Sequence, residues 1–446
     1  MNKKKFIVLL LFLIGLVIRI GLNYTYPSSD VAEYVRWGQN THEAGLSESF
    51  EGGYFPVQYM TLGAAYSLST LVPISPENVI RTFNLIFEIG GLVLLIYMLK
   101  KYLTADKVLL YFWLNPFSLI IYQQGYVDAQ FSFFILLALA IIFSPIFGPG
   151  DSFKKYLVAG IPLGISLLMK PQTAPLFVGL AILAVILFFK KQRGQAFKIS
   201  YIFIIPIILY AGFSLYFGLA MDIHNNHNTL PKVSKIIQEK TGLSERGGDI
   251  AAGSMFLTAQ YLYVAQQRMP AINANMPNTW FFVADYLNKD NLPIYRIRDT
   301  TKVIPGISYR TIGFIIFFAI LITLVFKIVR SNTSLAEKII FVSCVIPIIL
   351  PYLTTSAHEN HFYLGFIGTI ILGAILSDKF ILKAGYILGV INAINLLLLY
   401  VLPHYTSLEY EIGVRMLVTG ASSIVFFVLL YHLLKRPYSQ QLTNSL

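Results

Sequence analysis

Charge is what this chain has least of. Only 13% of its 446 residues are Asp, Glu, Lys or Arg, while 56% are apolar and the mean hydropathy is +0.65; soluble domains carry about 25% charged residues. So much apolar surface cannot be hidden inside one water-soluble core, which makes lipid the solvent for most of the chain. Cysteine is nearly missing too. The single Cys344 lies in an apolar run, so a disulfide framework and a thiolate metal site are excluded and the residue reads as core. Acids are outnumbered, leaving a formal charge of +12. The basic residues stand in short clusters between apolar runs rather than in a stripe with interleaved aromatics, which fits a membrane surface and excludes nucleic acid as partner. The chain also has no Gly-rich phosphate loop, internal repeat, low-complexity tract or interdomain linker. No small-x-small cleavage site follows Lys3-Lys-Lys5 and the apolar Phe6 to Ile18, since Arg19-Ile-Gly-Leu-Asn23 comes next, so this segment reads as an uncleaved first helix.

What is present is a series of apolar runs of spanning length, roughly 17 to 22 residues for a hydrocarbon core of about 30 Å. They lie near 6–24, 79–99, 106–123, 127–147, 155–170, 173–190, 198–218, 311–330, 337–354, 361–377, 380–401 and 413–434. The expectation is an all-α polytopic membrane protein with about twelve transmembrane helices, eleven to thirteen at the limits. Val57 to Val72, closed off by Pro56 and Pro73, is short for a span. Treating it as juxtamembrane puts Lys3 to Lys5, Lys100, Lys101, Lys154, Lys155, Lys190, Lys191, Lys327, Lys379 and Lys435 on one side and leaves only Arg36, Arg81 and Lys170 in the short loops opposite. That is the positive-inside arrangement, with a cytoplasmic N-terminus. It divides the chain into a module over 1–218 with a first outer loop at 25–78, an outer segment at 219–310 built of short helices, and C-terminal membrane helices at 311–446. Every polar cluster with chemical potential then falls on the outer face.

Asp30 opens one such cluster. It can cap a helix, with Glu33 three residues on, or serve as a general base; a capped loop would also hold the carboxylate in place. Asp128, just before an apolar run, is either a cap or helix-dipole partner or a second catalytic carboxylate. Lys170 is a lone lysine in a short outer turn: it snorkels at headgroup level or binds phosphate, and Arg81 is a second phosphate candidate. His358-Glu359-Asn360-His361 is not HExxH, because its histidines are three apart rather than four. At the mouth of a helix bundle it can still bind phosphate or sugar hydroxyls. His224 and His227 beside Asp222 read as an ordinary polar turn. Arg19 and Glu88, inside apolar runs, either pair with each other or present Arg19 to a ligand phosphate.

Several of these residues carry a resemblance. An acid after the first helix (Asp30), an aromatic four residues on (Tyr34), the step Phe55-Pro56 before a juxtamembrane helix, and Gln124-Gly-Tyr-Val-Asp128 at the second outer turn together resemble the GT-C superfamily of lipid-phosphate-sugar glycosyltransferases. Within it the chain is most similar to bacterial polyprenyl-phosphate-dependent, mannosyltransferase-like membrane proteins, and Lys170-Pro-Gln172 and His358 to His361 resemble outward turns of such enzymes. The likeness is good from Met1 to about Gly218 and confined to isolated motifs beyond. It implies an inverting glycosyltransferase in a bacterial cell membrane, with its active site extracytoplasmic, taking sugar from a polyprenyl-phosphate donor amid membrane lipids to a glycan, lipid or protein acceptor of the cell envelope. Asp30 would be the base and Asp128 a second catalytic carboxylate. Lys170, Arg81, His358 and His361 would bind the donor phosphate, and Tyr34, Gln124, Gln172 and Glu359 the acceptor or sugar. The oligosaccharyltransferase branch binds a divalent metal through two acids in the turn where this chain has only Asp128, so no metal ligand or other cofactor is assigned. Two other readings stand beside this one. An O-antigen-type polymerase or ligase would depend on Arg268 or Arg296 in the long loop, and a lipid-linked sugar flippase would place its ionisable groups at the membrane midplane.

Overall fold

In the computed structural model the described residues are 3–144, 152–224, 230–242, 244, 248, 250–258, 271–288, 297–405 and 412–438; side chains at 218–234, 237 and 404–405 are not part of that description. Helices dominate them: α1 (Lys3–Leu22), α2 (Ser29–Ala44), α3 (Pro56–Ser69), α4 (Pro76–Leu99), α5 (Pro116–Gln124), α6 (Asp128–Phe143), α7 (Phe153–Met169), α8 (Ala174–Phe189), α9 (Arg193–His224), α10 (Leu230–Thr241), α11 (Trp280–Leu287), α12 (Tyr309–Val329), α13 (Leu335–Leu353), α14 (Tyr363–Ile375), α15 (Lys379–Leu396) and α16 (Ile412–Lys435). The all-α expectation is modified by one antiparallel hairpin of β1 (Lys302–Ile304) and β2 (Ile307–Ser308).

Eight helices among the described residues are long and apolar enough to cross a membrane, and the chain is a multi-pass membrane protein: α1, α4, Pro171–Phe189, 193–217, α12, α13, Lys379–Val401 and α16. α6 and α14 are apolar but shorter. The run expected at 106–123 is broken into Ala105–Val108, a π-helical turn Leu109–Trp113 and α5, whose Asn115 side chain caps Phe117 N–H. Asn115 and Pro116 are the cause, since an Asx cap and a proline at N1 both start a new helix. α3, the Val57–Val72 segment, has 14 residues, about 21 Å at 1.5 Å per residue, and packs along α2.

The centre of the bundle is α13, buried along nearly its whole length and flanked by α8, α12 and α14. α7 sits between α6 and α9. Close approach there needs Gly160, where a Cβ would lie 2.7 Å from the Ile202 carbonyl. A buried ion pair ties the first helix in: Arg19 Nε and Nη2 donate to Glu88 at 2.8 and 2.5 Å, while Nη1 donates to the Trp113 carbonyl at 2.9 Å and the guanidinium lies 3.6 Å from the Trp113 ring centroid. Ser118 Oγ completes Glu88 at 2.6 Å. Of the two roles open to Arg19, the structure shows the pairing with Glu88.

Candidate functional site

The site is built where four chain turns meet at one end of the bundle. Residues 23–28 leave α1 and are held from several directions. Arg81, buried in α4, donates to the carbonyls of Leu22, Asn23 and Thr25 at 2.9 to 3.1 Å. Ser28 Oγ donates to the Gln124 carbonyl at 2.8 Å, Gln123 Nε2 to the Tyr26 carbonyl at 3.0 Å and Tyr122 Oη to Asn23 Oδ1 at 2.8 Å. The α5–α6 turn is closed by Gly125 in the left-handed region (φ 72°), and Asn84 Nδ2 donates to its carbonyl and to that of Tyr126. These bonds fix Asp30 and Asp128 relative to each other through the backbone.

Asp30 is not the helix cap that its spacing to Glu33 suggested. The N-cap is Ser28 and Asp30 lies in the first turn of α2, while Glu33 pairs with Arg36, which also binds Glu51. Asp30 is an exposed residue, and its carboxylate has no hydrogen-bond partner among the described residues. Its pKa is nonetheless raised: burial by the surrounding walls is the largest cause, then the negative charges of Glu359 and Asp128, against the opposing pull of His358 and Lys170. The four residues are thus within its electrostatic reach.

Asp128 and Lys170 form an ion pair 2.9 Å long, both side chains almost fully buried. The other carboxylate oxygen of Asp128 accepts from Asn360 Nδ2 at 2.9 Å. Burial works against the Lys170 ammonium, but Asp128, Tyr54 and Asp30 outweigh it and hold its pKa above the usual lysine range. The Tyr54 and Phe131 rings flank it, at 5.4 and 5.2 Å. Tyr54 in turn shares a 3.1 Å hydrogen bond with Tyr34.

The turn before α14 supplies the other wall. Asp299, bound bidentately by Arg310 at 2.8 and 2.9 Å, accepts from Thr355 and Ser356 hydroxyls and so staples the start of the turn. Beyond it, Ala274 and Asn275 bridge to His358 through backbone pairing. Glu359 Oε1 accepts from Tyr126 at 2.8 Å and Tyr400 at 3.0 Å. Burial raises the Glu359 pKa, and hydrogen bonds from its own backbone N–H and both tyrosines, with the Arg415 charge, only partly offset it. Burial lowers His358 to about 4, with Asp30 and Asp128 opposing and Lys170 assisting, and drives His361 well below the usual histidine value. His361 Nδ1 accepts from the His358 N–H at 3.2 Å, so its neutral ring carries the proton on Nε2. The Gln172 amide stands 2.6 Å from that Nε2. The atom placed there is Gln172 Nε2 while its Oε1 has no hydrogen-bond partner, so a proton on His361 Nε2 requires the amide turned over to present its oxygen.

From this polar end a cavity of about 480 Å³ runs between helices. Asp128, Gln172 and His361 stand at one part of its lining, and Leu176, Val178, Phe317 and Ile346 among others make the remainder apolar.

Of the residues singled out from sequence, Asp30, Asp128, Lys170, Gln172, His358, Glu359 and His361 gather here, with Tyr34 behind Tyr54. Arg81 serves the carbonyls that end α1, and the Gln124 side chain donates to Gln123 Oε1. Asn360, Tyr126, Tyr54 and Tyr400 were not singled out. Asn360 and Tyr126 lie inside the quoted motifs, but which way their side chains point is not encoded in spacing; Tyr400 ends an apolar run and gives no signal at all. His227, Arg268 and Arg296 lie outside the described residues, as does the whole of 259–270, and of Asp222 and His224 only the backbone is described, within α9. Among the described residues no group of three or more His, Cys, Asp or Glu side chains is arranged to hold a metal ion. Both oxygens of Asp128 are engaged, one by Lys170 and the other by Asn360.

No protein-family model matches this chain, and no curated protein matches it. Among solved structures it is similar to the archaeal oligosaccharyltransferase AglB from Archaeoglobus fulgidus, determined in complex with an inhibitory peptide and a dolichol-phosphate. The identity is 13%, the TM-score 0.42, and the likeness covers 98% of this chain. The chain spans 57% of that protein's length. A likeness of this degree leaves function to be read from the site.

Proposed function

We propose that this protein is an inverting membrane glycosyltransferase of the GT-C type, with about twelve spans, that moves a sugar from a polyprenyl-phosphate donor to a cell-envelope acceptor on the outer face of the cytoplasmic membrane. One observation carries the reading. An apolar cavity among the helices reaches Asp128, the partner of the buried Lys170 cation, and His361 at its polar end, while the exposed Asp30 stands within electrostatic range of that pair. Such a site suits a substrate with a hydrocarbon tail, an anionic phosphate and a wet co-substrate.

In the proposed step Asp30 takes the proton of an acceptor hydroxyl as its oxygen bonds to the anomeric carbon. The bond from that carbon to the phosphate oxygen breaks, polyprenyl phosphate leaves with the electron pair, and the anomeric centre inverts. A raised pKa makes Asp30 a better base than a solvated carboxylate. Lys170 stabilises the charge gathering on the phosphate by exchanging Asp128 for it, and the Nε2 proton of His361 is a second donor. Glu359 and Gln172 contact sugar or acceptor hydroxyls, and the apolar cavity takes the first isoprene units.

The test is Asp30→Asn in membranes supplied with polyprenyl-phosphate sugars. The exposed, hydrogen-bond-free position predicts normal insertion and folding with transfer reduced on the order of 10²–10⁴-fold. Undiminished transfer removes Asp30 as base.

A further inference from the structure

A second cleft lies at the opposite end of the bundle, and we infer that it is a binding site for an anionic glycerophospholipid. Its volume is about 850 Å³. α1 and α4 flank it, and they run antiparallel, joined by the Arg19–Glu88 pair. Below that pin α1 finds its main packing on residues 105–124 rather than on α4. The two helices therefore leave a gap over the roughly 20 Å separating the pin from Lys5 and Lys100.

The walls of the gap match a lipid. Val8, Phe12, Val93 and Ile96 are among its apolar lining, and Lys4, Lys5, Lys100 and the single acid Asp106 are its charged lining. Three ammonium groups against one carboxylate leave the lining a net charge of +2, the complement of a phosphodiester whose negative charge is not cancelled by a cationic headgroup. Lys100 and Lys5 are exposed, and turning the Lys100 ammonium to a ligand exchanges a 4.8 Å contact with the Tyr97 ring for a phosphate. An apolar side chain from another protein would satisfy the apolar lining but not the lysines, which is why the occupant is assigned as a lipid and an acidic one. The cleft shares no residue with the site near Asp30, so the assignment stands apart from the proposed activity.

The experiment is native mass spectrometry of the full-length protein released from detergent after incubation with phosphatidylglycerol or phosphatidylcholine. Phosphatidylglycerol should be retained several-fold more than phosphatidylcholine. Lys5→Gln/Lys100→Gln should lose that preference, whereas the matched control Lys101→Gln/Lys107→Gln, outside the cleft, should keep it. Val93→Trp, which fills the cleft and leaves its lysines in place, should reduce retention of both lipids; elution volume and melting temperature verify that each variant folds. Equal retention of the two lipids, equal loss in cleft and control variants, or retention untouched by Val93→Trp overturns the inference. So does an adduct whose mass is that of a peptide.

Discussion

Lys170 Nζ lies 2.9 Å from Asp128 Oδ1, and neither side chain is more than 2% exposed. Two charges buried together are tolerable only because each is the other's counterion and Asn360 satisfies the second carboxylate oxygen. In the proposed reaction the pair is a preformed arrangement in which the cation meant for the donor phosphate is held in place by Asp128. Loading the proposed donor then replaces one anion by another rather than ordering a free lysine side chain.

That relationship predicts a non-additive pair of mutations. Lys170→Met leaves Asp128 charged, buried and half-satisfied, a loss on the order of 3–5 kcal/mol. Lys170→Met/Asp128→Asn should recover most of the melting temperature in detergent and still transfer sugar at least ~10²-fold more slowly than wild type, because the phosphate cation is gone. Full recovery of transfer in the double variant would reduce Lys170 to a structural role.

The rate should fall on the acid side through the raised pKa of Asp30, above the ordinary carboxylate value of about 3.9. A general base works only ionised, so transfer is lost as pH drops through that value. Asp30→Glu should shift the acid limb and Asp30→Asn erase it from the residual rate; a limb unchanged in both variants assigns it to another group.

His358 gives a separate signature in stability. Its pKa is lowered to about 4 in the fold from an unfolded value of about 6.5. As pH falls through that window the unfolded chain takes up the proton first, so the neutral histidine's contribution is fully present above about 6.5 and lost by about 4. The raised carboxyls of Asp30 and Glu359 act with the opposite sign. The comparison of His358→Gln with wild type isolates the imidazole: the variant should lose less melting temperature between pH 7 and pH 5. Parallel curves would count against a neutral, half-buried His358.

The cavity makes a prediction about chain length. Val178→Trp narrows the apolar lining without touching the polar end, so KM should rise for a long polyprenyl donor and change little for a donor truncated to one or two isoprene units. An equal effect on both donors places the lipid elsewhere.

Helices, turns and the gathering of turns were legible in the sequence to different degrees. The apolar runs marked each of the eight helices of spanning length, because a segment that crosses lipid is apolar residue by residue, whereas the polar α2 left no such mark. The break at Asn115-Pro116 and the hairpin at 302–308 were not anticipated, although the cap and the proline were in plain view. Asp30, Asp128, Lys170 and His358 to His361 were found because each is a polar group in an apolar neighbourhood. What each one does there was not legible. The cap reading of Asp30 gave way to Ser28, and Arg81, chosen as a phosphate ligand, turned out to hold the carbonyls at the end of α1.

Sequence alone determined that the chain dissolves in lipid and that its ionisable groups collect in a few turns, since both follow from hydropathy, a sum over local residues. Only the tertiary structure decided which of those groups meet. Lys170 is 42 residues from Asp128 and Tyr126 is 233 from Glu359. Contacts at such separations depend on how α7 and α14 pack against α6, and packing is settled by shape across helices, about which periodicity along one helix says nothing.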